Sequence, residues 1–152
     1  MRVSKALFLG FALIVGLSGC NYQTPIMLEN GEQGKLVQFD SKGLSKFTYG
    51  PLIAGVEVLK GEPKFNVVTV DKRDRVKAGF WESTQGKWHF SNSKNHWEYC
   101  HITQGVSVVT EDGGKPQRYV EGQSFILHPG FSGTWEVIEP TRKEFVIVTV
   151  QQ

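Results

Sequence analysis

From residue 55 onward the chain is interrupted every few residues by glycine, proline or a small polar cluster, and the pieces between are rich in β-branched and aromatic residues. "GVEVLKG" (55–61) alternates Val56 and Val58 against Glu57. "KFNVVTV" (64–70), "VKAGFWES" (76–83), "GKWHF" (86–90), "HWEYCHIT" (96–103) and "GVSVVTE" (105–111) follow. After Asp112-Gly113-Gly114 come "QRYVE" (117–121), "QSFILH" (123–128), "TWEVIE" (134–139) and "KEFVIVTV" (143–150). Pro129-Gly130 and Glu139-Pro140 read as two further turns. No stretch of this part carries apolar residues at sustained spacings of three and four, so no long helix is expected. About ten short strands at intervals of roughly 8–12 residues specify an all-β sandwich or barrel.

The first twenty residues are of another kind. Arg2 and Lys5 precede an apolar run from Ala6 to Leu17, which ends in Leu17-Ser18-Gly19-Cys20. The run is too short to span a bilayer and reads as a signal peptide. Its ending resembles the lipobox of bacterial lipoproteins. That resemblance implies cleavage after residue 19, acylation of Cys20 and attachment to the membrane of the cell envelope. The protein would then face the periplasm, with Asn21 favouring the outer membrane. Acyl chains contribute about 0.8 kcal/mol per buried methylene, so two or more hold a domain durably. Residues 20–54 are then a lipidated cysteine and polar tether, with "GKLVQFD" (34–40) as a possible short strand, and residues 55–152 are the domain.

Charge and cysteine count narrow the partners. The chain has 17 Lys and Arg against 15 Asp and Glu, and Arg2 and Lys5 supply the whole excess. The remainder is balanced and carries no basic block, which argues against nucleic acid. With Cys20 acylated, Cys100 has no intramolecular disulfide partner. Its β context points to a buried thiol, and only His101 stands beside it to activate a nucleophile.

The order of the polar residues carries a second resemblance. Glu98 stands seven residues before Gly105, and Gly122 is followed by an apolar run and Pro129-Gly130. This spacing resembles the two half-motifs of the cupins, a superfamily of jelly-roll β-barrels. "GFWESTQGKWHF", "EYCHITQG" and "GTWEVIEPTRK" are similar to strings of the (S)-ureidoglycine aminohydrolase-type cupins, over residues 78–148. The matching positions are Trp81, Glu98, Cys100, Gly105, Gly122, Gly130, Trp135, Glu139, Pro140, Arg142 and Lys143. Where metal-binding cupins place two histidines before the glutamate, this chain has Ser91, Asn92, Ser93 and Lys94, and Gly133 stands where the second motif places another. A lone carboxylate does not hold a transition metal. No cofactor is therefore expected, and the missing ligands argue against metal-dependent enzymatic chemistry. A divalent metal would need a substitute set, for which His96, Glu98 and His128 are the candidates. His101 falls on the opposite face from Glu98, and His89 reads as an exposed strand residue.

The resemblance implies that Glu98, Cys100 and Ile102 point into the barrel. Lys143 shares a face with Phe145 and Ile147, and Trp135 shares one with Val137. Together with Trp81 these residues predict an aromatic-walled cup holding one carboxylate and one ammonium. The ligand-binding candidates are Glu98, Lys143, Trp135, Trp81 and Cys100, and the expected ligand is a small polar or zwitterionic metabolite. The alternatives are plain packing for the same residues, an enzyme acting on an amide, imine or sugar-like metabolite, and an accessory module that forms a homodimer, since cupins often pair through their strands.

Overall fold

The structure, a computed structural model, describes residues 36–39 and 55–151. The expected signal peptide, Cys20 and nearly all of the tether lie outside the described residues. Eight strands and no helix form among those described: β1 (Glu57–Lys60), β2 (Phe65–Arg73), β3 (Val76–Ser83), β4 (Gly86–Ser91), β5 (His96–Glu111), β6 (Gln117–Val120), β7 (Ser124–Leu127) and β8 (Ser132–Thr149). Every pairing is antiparallel, as the all-β jelly-roll expectation requires.

Two long strands organise the fold. β5 and β8 pair along most of their length, and each serves two sheets in turn. The first half of β5 pairs with β7 and the second half with β6. The first half of β8 pairs with β4 and the second half with β3, which continues to β2. One layer is thus β2-β3-β8-β5-β7 and the other β1-β4-β8-β5-β6. Their inner faces meet in a core containing Phe65, Trp81, Trp88, Cys100, Ile102, Leu127, Trp135 and Phe145.

The junction between the layers corrects one expectation. Glu139-Pro140 does not reverse the chain; both residues lie within β8. Pro140 has no ladder partner, because the register jumps from Gln104↔Arg142 to Val106↔Glu139. A proline is tolerated at such an irregularity because no N–H is required of it. Opposite it, Gly105 adopts φ 85°, and a Cβ there would lie 2.2 Å from the Pro140 carbonyl oxygen. The glycine admits the close approach that lets both strands cross from one layer to the other. For the same reason 96–103 and 105–111 form one strand instead of two.

Residues 36–39 are not part of a strand, so the expectation of one over 34–40 fails where it can be checked. The Phe39 ring instead rests 5.3 Å from that of Phe80, on the outer face of β3, where Phe80 is almost wholly buried.

Candidate functional site

The inward positions of β5 and β8 build the site. Glu98, Cys100 and Ile102 face the interior from β5; Lys143 and Phe145 do so from β8, and all five are buried. Lys143 is directly opposite Ile102, whereas Glu98 is opposite Ile147. Four residues therefore separate the Glu98 level from the Lys143 level, about 13 Å of strand. An extended lysine and a glutamate together bridge that gap, and Lys143 Nζ donates to Glu98 Oε1 at 2.8 Å. Midway, the small Cys100 side chain leaves room for the lysine to pass, its Sγ 3.3 Å from Nζ.

The other Glu98 oxygen, Oε2, is 3.1 Å from His96 Nε2. Burial alone would raise the Glu98 carboxyl, but the Lys143 charge and the hydrogen bonds from His96 and Lys143 outweigh it, lowering its pKa from 4.5 to about 2. Burial likewise opposes the Lys143 ammonium, yet the Glu98 carboxylate, by its charge and its hydrogen bond, raises the Lys143 pKa above the ordinary value. The pair is ionised across the physiological range. Cys100 is pushed up to about 12, by burial first and with the Glu98 charge adding to it, which leaves a protonated, inert thiol.

Aromatic rings enclose the ammonium. Lys143 Nζ lies 4.6 Å from the Trp135 ring centroid and 5.3 Å from that of Trp81, both within cation–π range. Trp135 is fixed from behind: its indole N–H donates to Ser107 Oγ at 2.9 Å, Ser107 donates to Thr141 Oγ1 at 3.0 Å, and Thr141 donates to the Glu139 carbonyl at 2.8 Å. Trp88 stacks parallel to Trp135, with centroids 6.5 Å apart. The walls enclose a cavity of about 280 Å³ bounded by Phe65, Trp81, Trp88, Phe90, Trp135 and Phe145, with Glu98, Lys143 and His96 on its polar side. Such a space takes a small metabolite.

The residues present do not fit a transition metal. An ammonium already occupies the contact with Glu98 that a cation would need, and a second positive charge there would meet it at close range. Among the described residues no group of three His, Cys, Asp or Glu converges to ligate an ion. His96 and Glu98 do come together. His128 does not join them: it follows the inward Leu127, is exposed, and borders a different depression. Gly133 also lacks room for a histidine, since a Cβ there would sit 2.2 Å from the Thr110 carbonyl oxygen and 2.9 Å from the Phe131 ring.

Of the ligand-binding candidates, Glu98, Lys143, Trp81 and Trp135 border the cavity, and Cys100 lies behind Lys143. His89 turns outward to Asp112, 3.0 Å from its Oδ2. Sequence reasoning left Trp88, Phe90 and Lys77 out of the site. The period-two alternation in "GKWHF" puts Trp88 and Phe90 on one face, and the same rule aligns Lys77 with Trp81.

A jelly roll whose two half-motifs meet around an inward glutamate defines a cupin. Residues 70–145, half of the chain, match the EutQ-like cupin domain family, and the protein belongs to it. No curated protein matches the sequence. Solved structures share the fold. The EutQ protein of Clostridium difficile is 14% identical over 59% of this chain and 71% of its own, with a TM-score of 0.52. A protein of unknown function from Pseudomonas syringae, assigned to the DUF861 family, is 17% identical over 69% of this chain and 45% of its own, with a TM-score of 0.55. Ectoine synthase from P. lautus is 15% identical over 56% and 64%, with a TM-score of 0.52.

Proposed function

We propose that this cupin is a lipid-anchored protein of the bacterial cell envelope that binds a small metabolite in its aromatic-walled cavity without a metal, as a binding module and not an enzyme of the ureidoglycine aminohydrolase type. The observation that carries the binding reading is the buried Glu98–Lys143 pair at 2.8 Å on the polar side of that cavity. It supports a metal-free site because the ammonium fills the role of the cation that a cupin glutamate otherwise holds. The aromatic walls supply contact area, and the polar side supplies orientation. The envelope location rests on the Leu17-Ser18-Gly19-Cys20 string.

Native mass spectrometry of the full chain, released gently from membranes, tests the binding reading. The expected spectrum shows a bound species of small-molecule mass that dissociates on activation and is lost in Trp135→Ala. A spectrum containing only the bare acylated chain, from material that also fails to take up any metabolite from a cell extract, would contradict it. The anchor has its own test: Cys20→Ser moves the protein out of the membrane fraction, and a variant that remains with the membrane contradicts lipidation.

A further inference from the structure

Three charged groups face the cavity, and only two of them cancel. Glu98 and Lys143 form the internal pair, and each Glu98 oxygen already accepts a hydrogen bond. Lys77 is the third. It lies on the inward face of β3, opposite the cavity residue Ile147. Its Nζ stands 5.7 Å from the ring centroid of the buried Phe145. No described carboxylate pairs with it. The ring faces of Trp81 and Trp135 that would attract a ligand cation are already held by Lys143.

We infer that the ligand is a small monocarboxylate with a flat, apolar body: its carboxylate pairs with Lys77, and its body lies among the tryptophans. The inference rests on the metabolite-binding reading above and sharpens it, replacing a zwitterion with an anion. A ligand ammonium would find no free carboxylate and would meet two lysines. Flatness follows from walls made of ring faces, which favour offset stacking.

Three probes of similar shape separate charge from shape: benzoate, benzamide and benzylamine, titrated into the full chain in lipid nanodiscs and followed by tryptophan fluorescence. Benzoate is expected to bind about tenfold more tightly than benzamide, the scale of one charge-assisted hydrogen bond, and benzylamine least of all. Lys77→Met should lower benzoate affinity to about that of benzamide, abolishing the preference between them. Binding of benzamide or benzylamine as tight as that of benzoate, or an unchanged preference in Lys77→Met, overturns the anionic assignment and leaves the cavity reading standing. If none of the three binds to a chain that retains its near-ultraviolet dichroism, the flat monocarboxylate falls, and the cell-extract measurement above decides the cavity reading.

Discussion

Two consecutive residues of β8 each reach a carboxylate, and the two pairs behave differently. Arg142 turns to the other face and pairs with Glu82 on the neighbouring β3, with side chains 28% and 13% exposed. Lys143 turns inward to Glu98, and both side chains are under a tenth exposed. The outward pair retains contact with solvent through Arg142. The inward pair is closed in by tryptophan rings, and its carboxyl is driven to about 2. Strand alternation alone decides which cation is a surface group and which is the polar centre of a cavity. The environment, and not the presence of an ion pair, is what gives Lys143 its role.

The largest effect should come from breaking the inner pair. Glu98→Gln strands the Lys143 ammonium in an apolar setting and should cost about 3–5 kcal/mol of unfolding free energy by urea titration. With typical domain stabilities of about 5–15 kcal/mol, the variant should remain folded but weakened, and its ligand binding should fall. A ΔΔG under about 1 kcal/mol would place the pair in the same class as surface ion pairs.

The acid limb of stability is the second way to sharpen the contrast. A carboxyl whose folded pKa is depressed contributes stability above its unfolded pKa and loses it as pH falls through the folded value. For Glu98 that window runs from 4.5 down to about 2. At about 1.4 kcal/mol per pKa unit, the contribution is on the order of 3 kcal/mol. Urea midpoints measured across this window should decline in the wild type, and Glu98→Gln should flatten part of the decline. Identical slopes in the two proteins would remove Glu98 as the cause.

The outer pair supplies the smallest effect. Glu82→Gln should cost less than Glu98→Gln, on the order of 1 kcal/mol, because the Arg142 side chain is 28% exposed and can be hydrated once unpaired. A loss equal to that of Glu98→Gln would erase the distinction between the two faces of β8.

Much of this was legible in the chain, for reasons that differ by residue. The spacing of Lys143, Phe145 and Ile147 gives their common face, and the alternation through Glu98, Cys100 and Ile102 gives another. That the two faces meet around a salt bridge depends on the β5–β8 register, which no local pattern encodes. Glu139-Pro140 reads as a turn because proline withholds a ladder donor; the ladder skips that position, and Gly105 makes room for it. Lys77 lies between Val76 and Ala78, and nothing in that spacing shows that Phe145 lies beneath it. His128 follows the inward Leu127, so alternation already turned it away from Glu98. The spacing of Ser107 and Thr141 gives no hint that they orient Trp135, because the three residues meet only across β5 and β8.

Metal content measures the central claim most directly. The full chain, incubated with zinc, manganese, nickel and ferrous salts and then freed of unbound ions, should retain well under one ion per molecule by inductively coupled plasma mass spectrometry. The Lys143 ammonium answers for that result. One tightly held ion per chain, lost in Glu98→Gln, would show that the carboxylate serves a metal and would contradict the account.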